Sequence, residues 1–113
     1  MISQGYASYD KFVTVAATNF AAVLDDKAAT LDKMEANIRE AVAQGVDLIA
    51  FPEEALIGVE QFLACRGGAP HCEKHDSLAE TVRGPSIERN LELARELDVD
   101  LVYCLAEGIP GYL

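Results

Sequence analysis

The chain has 113 residues, half of them hydrophobic and a quarter charged, which is typical of a single small globular domain. Its net charge of −10 argues against nucleic acid and against an anionic membrane surface as partners. No apolar run approaches the roughly 18 residues of a membrane-spanning helix, and the N-terminus lacks the basic and apolar regions of a signal peptide. Three cysteines, an odd count, fit a reducing compartment. Together these features predict a cytoplasmic protein.

The first half of the chain is predicted to contain a strand followed by a helix. Residues 1–11 are small and polar and are expected to be a loose lead-in, whereas residues 12–20 are rich in Val, Thr, Phe and Ala and favour a buried strand. Asp25 and Asp26 can cap the helix that follows, and Gly45 is suited to end it. The apolar stripe of this helix is predicted to consist of Leu31, Met34, Ile38 and Val42.

The second half is predicted to continue the alternation. A strand at residues 46–51 is followed by a segment at residues 55–83 that loses periodicity and is expected to be a long loop. Pro85 is suited to the first turn of the next helix, where an N–H group is not needed. The stripe of that helix is predicted to consist of Ile87, Leu91, Ala94 and Leu97. Residues 99–105 are interpreted as a third strand, so the order βαβαβ predicts an α/β fold with parallel strands.

Glu53 is the main candidate for chemistry. Pro52 cannot donate to a sheet ladder, so the second strand is expected to stop there. Catalytic groups of α/β folds gather at the carboxyl ends of strands, and a carboxylate at that position can act as a general base. The residues alone leave open whether Glu53 is such a base or a solvated acid. Glu54 is its competitor and is expected to cap or orient the next turn, and Glu107 either lines the same rim or only meets solvent.

Five segments, in order and with fitting gaps, resemble the nitrilase, or carbon-nitrogen hydrolase, superfamily. They are residues 12–20, 33–45, 46–53, 84–86 and 99–107. The resemblance implies that Glu53 is the general base of a Glu-Lys-Cys triad that hydrolyses amides, nitriles or carbamoyl compounds without a metal or other cofactor. It also implies that the βαβαβ unit is the start of an α-β-β-α sandwich that dimerises.

The resemblance further implies that part of the family's machinery lies outside these residues. The lysine and the nucleophilic cysteine of the family follow its third strand, and the sequence ends at Leu113, soon after that strand. We therefore expect the N-terminal part of a hydrolase, with residues 55–62 on the substrate rim and no activity of the 113 residues alone. Expected partners are a small-molecule substrate and either a second copy or a missing C-terminal half. The alternatives are a catalytically inactive truncated product and a small α/β binding domain.

Other polar and reactive residues have competing interpretations. Thiolate and imidazole are preferred zinc ligands, and the nonperiodic segment carries Cys65, His71, Cys72 and His75. Their spacing is not a common zinc pattern, so a polar loop with incidental cysteines is favoured over a metal site. Cys104 lies in the predicted third strand and is interpreted as a small core residue rather than a nucleophile. Lys33 and Arg39 fall on the polar side of the first helix and are expected to be solvated.

Overall fold

The computed structural model describes residues 12–59 and 73–109, and it has an α/β architecture. Three parallel strands form one sheet in the order β1-β2-β3. The strands are β1 (Val15–Ala17), β2 (Leu48–Ala50) and β3 (Asp100–Val102), and the helices are α1 (Lys27–Ala43), α2 (Glu73–Leu78) and α3 (Pro85–Leu97). The predicted fold class, with its βαβαβ order, is therefore confirmed, and the predicted lead-in at residues 1–11 lies outside the described part of the chain.

Helix α1 begins and ends where the sequence places its caps. The Asp26 carboxylate accepts a hydrogen bond of 2.9 Å from the Ala29 amide, which satisfies one of the unpaired N–H groups of the first turn. Asp25 instead has a left-handed backbone with φ 62° and pairs with Lys74. At the other end Gly45 takes φ 85°, a conformation that glycine adopts without a steric penalty.

Helix α3 begins at Pro85 as predicted, but the prediction of its buried face is wrong for most of the stripe. Its buried residues are Ser86, Asn90 and Leu93. Of the predicted stripe, Leu97 is partly buried against the core, whereas Ile87, Leu91 and Ala94 line an open cavity of about 260 Å³ beside β3. Polar contacts set this rotation, because both the amide and the hydroxyl of Ser86 donate to the Glu80 carboxylate, at 3.0 and 2.5 Å. These two hydrogen bonds hold Ser86 on the buried side of the first turn of α3.

The two faces of the sheet differ in how well they are covered. Ala16, Ile49 and Leu101 are aligned across the three strands and pack into the core under the helices. The core cluster consists of Leu31, Met34, Ile38, Ile49, Phe51, Ala55, Leu56, Ile57, Leu93, Val99 and Ala106. Because successive side chains of a strand point to opposite faces, Val15 and Val102 lie on the other face, where they are 59% and 51% exposed. In the described residues this face is therefore open, and it is apolar apart from Asp100.

The strands are shorter than predicted, and the segment interpreted as a long loop contains structure. Each strand has three residues rather than the six to nine that the apolar runs indicated. Helix α2 lies inside residues 55–83, so the loop prediction is wrong for its six residues. Residues 60–72 are outside the described part.

No helix of the described ranges is long and apolar enough to cross a membrane.

Candidate active site

Glu53 stands just past the carboxyl end of the central strand. The chain leaves β2 through Phe51, whose amide donates to the Val102 carbonyl at 2.8 Å and extends the pairing with β3 by one residue. Phe51 is buried in the core, whereas Pro52 and Glu53 are exposed. The backbone that carries Glu53 is therefore held in place two residues earlier by the buried Phe51. The structure places it at the strand end that the sequence predicts.

A tight turn follows and fixes the backbone behind Glu53. Glu54 has a left-handed backbone with φ 51°, an uncommon conformation for a residue with a side chain. Its carbonyl accepts hydrogen bonds from the amides of Ile57 and Gly58, at 3.2 and 2.7 Å. Gly58 itself takes φ 87°. Residues 55 to 58 are buried, so the turn is a floor that packs into the core rather than a loop on the surface.

The Glu53 cleft, as we call it below, has a volume of about 160 Å³. Its lining consists of Phe20, Ala21, Ala22, Pro52, Glu53, Glu54, Ala55, Gly58 and Val59. The arrangement therefore sets carboxylates against apolar walls. A carboxylate beside such walls can take a proton from a nucleophile that lies within hydrogen-bonding reach of it. Within ranges 12–59 and 73–109, the lining includes no lysine and no cysteine.

The wall opposite Glu53 comes from the segment between β1 and α1, which is fixed at both of its ends. The amide and hydroxyl of Thr18 both donate to the Ala50 carbonyl, at 2.9 and 3.0 Å. The hydroxyl of Thr30, which is fully buried in α1, accepts from the Val23 amide at 2.9 Å. Because α1 packs on the core, its Thr30 holds this end of the segment in a fixed position.

Lys33 and Arg39 are exposed, as expected, but each also makes specific contacts that the sequence analysis did not predict. The Lys33 ammonium donates to the Ala21 carbonyl at 2.7 Å and lies 5.0 Å from the centre of the Phe20 ring. Arg39 pairs with Glu35 and Glu96, which links α1 to α3 on the outer surface. The contacts of Lys33 with residues 20 and 21, and of Arg39 with Glu96, join distant parts of the sequence, so helical periodicity gives no signal for them. The Arg39–Glu35 pair, by contrast, has the i,i+4 spacing expected within one helix.

A second acid, Glu80, was missed by the sequence analysis. Its side chain is 8% exposed and accepts from Ser86 and from the Lys27 ammonium, the latter at 2.9 Å. Burial acts to raise the pKa of Glu80, but the hydrogen bonds from Ser86 and Lys27 outweigh it, so the pKa lies below its usual value. Glu80 does not line the Glu53 cleft. Glu80 links the first turn of α1 to the first turn of α3. The sequence gives no signal for this role, because Glu80 lies in a segment without hydrophobic periodicity.

Glu107 and Cys104 belong to another part of the surface. They line a separate open cavity of about 440 Å³ with Tyr103 and Leu105, and neither lines the Glu53 cleft. Cys104 is exposed and follows the end of β3, so the interpretation of it as a core residue is wrong. β3 ends at Val102 rather than at residue 105, but the side chains continue to alternate. Tyr103 and Leu105 pack against the core, whereas Cys104, like Val102, is exposed.

The predicted zinc candidates cannot be placed together. Cys65, His71 and Cys72 lie outside the described residues, and only the backbone of His75 is described, as part of α2. Across the described ranges, no group of three or more His, Cys, Asp or Glu side chains is arranged to hold a metal ion.

Comparison with known proteins identifies a family. The family model described as "Carbon-nitrogen hydrolase" matches residues 14–111. The chain is 32% identical over 111 residues to an aliphatic nitrilase of Rhodococcus rhodochrous, covering 93% of this chain and 30% of that protein. It is 33% identical over 98 residues to nitrilase 3 of Arabidopsis thaliana, covering 80% of this chain and 28% of that protein. The chain thus spans about 30% of the length of these relatives.

Proposed function

The chain belongs to the carbon-nitrogen hydrolase family, and on that premise we propose that it supplies the general base of a hydrolase. The substrate is a small amide, nitrile or carbamoyl compound, and the bond cleaved is a non-peptide carbon–nitrogen bond. Glu53 is the base. The proposal is supported most directly by the position of Glu53, past the end of the central strand and on the edge of an apolar cleft.

In the proposed reaction, Glu53 takes the proton of a cysteine thiol, and the thiolate attacks the substrate carbon. An amide then gives an acyl-enzyme with loss of ammonia. A nitrile first gives a thioimidate, which water converts to the same acyl-enzyme with loss of ammonia. In both cases a further water molecule hydrolyses the acyl-enzyme, which releases the carboxylic acid and regenerates the thiol. A lysine stabilises the anionic tetrahedral intermediate, as the family resemblance implies. A floor of buried residues behind Glu53 supports this role, since a base must be held within hydrogen-bonding reach of its partner.

We also propose that the 113 residues do not catalyse this reaction on their own. No residue of the sequence matches the family's lysine or nucleophilic cysteine, and the described lining of the Glu53 cleft contains neither residue type. Groups of a triad act as a unit, so the loss of any one removes most of the rate. Here both the lysine and the cysteine would come from outside the 113 residues.

The walls of the cleft favour a neutral, aliphatic acyl group. The charged side chains in its described lining are both carboxylates, Glu53 and Glu54, and the remaining residues are apolar or glycine. A substrate with its own carboxylate would meet two like charges there. The naming of one relative as an aliphatic nitrilase agrees with this preference.

Ammonia release by the full-length protein tests the proposed function. The substrates are butyronitrile, butyramide and an N-carbamoyl compound, each with a carboxylate-bearing counterpart of similar length. We expect turnover of at least one neutral compound, and slower turnover of its anionic counterpart. If no compound of the three classes releases ammonia, and the protein binds none of them, the hydrolase proposal fails and the small α/β binding domain takes its place.

A further inference from the structure

We infer that Lys33 is a positioning residue of the Glu53 cleft, which fixes the wall formed by Phe20, Ala21 and Ala22 against the acyl group of the substrate. The inference rests on the proposed function of that cleft, because it assigns a purpose to one of its walls. Lys33 itself does not line the cleft. It acts through the residues that do.

One ammonium group holds two neighbouring residues of the wall. It donates to the Ala21 carbonyl at 2.7 Å and lies 5.0 Å from the centre of the Phe20 ring, a distance at which a cation is attracted to the face of an aromatic ring. The two contacts restrain different things. The hydrogen bond fixes the backbone of the wall, and the cation–π contact fixes the ring that forms its largest surface.

The same ring connects the wall to the strand that carries the base. Phe20 meets Phe51 edge to face, with ring centres 5.2 Å apart and planes at 84°. This is a favoured geometry for aromatic pairs. Phe51 is buried and lies two residues before Glu53. A continuous series of contacts therefore runs from Lys33 through Phe20 and Phe51 to the backbone of Glu53.

Nothing else in the described residues ties down the middle of the wall by a polar contact. Thr18 and Val23, at the two ends of the segment, are held by the Ala50 carbonyl and by Thr30. For residues 19–22, the hydrogen bond that the described structure gives is the one from Lys33. Removal of the ammonium would leave four residues spanning two fixed ends, with the Phe20 ring restrained on one side only, by Phe51 and the core.

The variants Lys33→Met and Lys33→Arg test this role, with Arg95→Met as a matched control. Methionine keeps much of the aliphatic length of lysine without the charge, and arginine keeps a cation that can donate and stack. Arg95 is an exposed cation of α3 with no ion pair among the described residues, so its removal changes the net charge by the same amount. Two measurements are made on the full-length protein. The first is the NMR spectrum of ¹³C-labelled phenylalanine, and the second is the dependence of butyronitrile hydrolysis on substrate concentration.

We expect Lys33→Met to shift the Phe20 ring signals and to raise KM for butyronitrile about fivefold, with kcat changed by less than about twofold. A rise of this size corresponds to the loss of one exposed cation–π contact with its hydrogen bond. Lys33→Arg is expected to restore both readouts, and Arg95→Met is expected to change neither. A merely structural lysine would lower stability without separating KM from kcat.

Unchanged Phe20 signals in Lys33→Met overturn the inference, whatever the activity. Shifted signals together with an equal rise of KM in Arg95→Met also overturn it, because the effect would then be one of net charge. If the wild-type protein hydrolyses nothing, the proposed function has failed. The Phe20 spectrum then still decides whether Lys33 fixes this wall.

Discussion

Replacement of Glu80 by glutamine is expected to destabilise the fold more than any surface charge change. All three of its partners donate: the Ser86 amide at 3.0 Å, the Ser86 hydroxyl at 2.5 Å and the Lys27 ammonium at 2.9 Å. A carboxylate can accept from all of them, whereas the amide of glutamine must turn its own NH₂ group towards a donor. Hydrogen bonds to charged groups contribute about 1.5–3 kcal/mol each, and the partial exposure of Lys27 reduces its share. We expect a loss of about 2–3 kcal/mol in the free energy of unfolding.

Urea denaturation at pH 7 measures this loss, and Glu88→Gln is the matched control. Glu88 forms an ion pair with Arg83 on the surface, at 3.0 Å, so its neutralisation is expected to cost about 0.5 kcal/mol or less. The reasoning is refuted if Glu80→Gln is no more destabilising than Glu88→Gln.

The contribution of Glu80 also predicts a dependence on pH. Because its pKa is lowered on folding, the stabilisation is fully present above the unfolded pKa of about 4.5 and is lost as the pH falls through the folded value. The gap in stability between the wild-type protein and Glu80→Gln should therefore narrow below pH 4.5. A gap that stays constant down to pH 3 would contradict the assigned direction of the pKa shift.

Two further predictions concern Cys104 and the open face of the sheet. Cys104→Ser is expected to leave hydrolysis by the full-length protein within about twofold of wild type, because Cys104 does not line the Glu53 cleft. Loss of turnover would make Cys104 the nucleophile. The isolated 113 residues are expected to self-associate or to bind an apolar dye through the face that carries Val15 and Val102, since large exposed apolar patches are unusual for monomers. Lys substitutions at both positions should reduce the association in sedimentation experiments, and a monomer without dye binding would refute this account.

The features that the sequence predicts well are those set by local chemistry. The cap at Asp26 and the helix start at Pro85 depend on a few neighbouring residues, so composition and spacing reveal them. The same holds for the strand stop at Pro52, which places Glu53 at the end of β2. Local signals and the order of elements together suffice for the βαβαβ arrangement.

The features that the sequence does not predict depend on contacts between distant segments. Hydrophobic periodicity favours burial of Ile87 and Leu91, but Ser86 is turned inward by its bonds to Glu80, and the stripe is carried towards the edge of β3. Helix α2 has six mostly polar residues, too few for an apolar stripe to show. Lys33 reaches back twelve residues to Ala21, and no spacing rule for helices anticipates such a contact.

The central claim, that Glu53 is the base of a carbon-nitrogen hydrolase, is tested most directly by the turnover number of Glu53→Gln beside that of Glu107→Gln in the full-length protein. Both changes remove one exposed carboxylate near the end of a strand, but only Glu53 lines the cleft. General-base catalysis is commonly worth 10²–10⁴-fold. We expect kcat of Glu53→Gln to fall by about that factor, with Glu107→Gln within about twofold of wild type and both variants folded. Turnover by Glu53→Gln at the wild-type rate would contradict the claim.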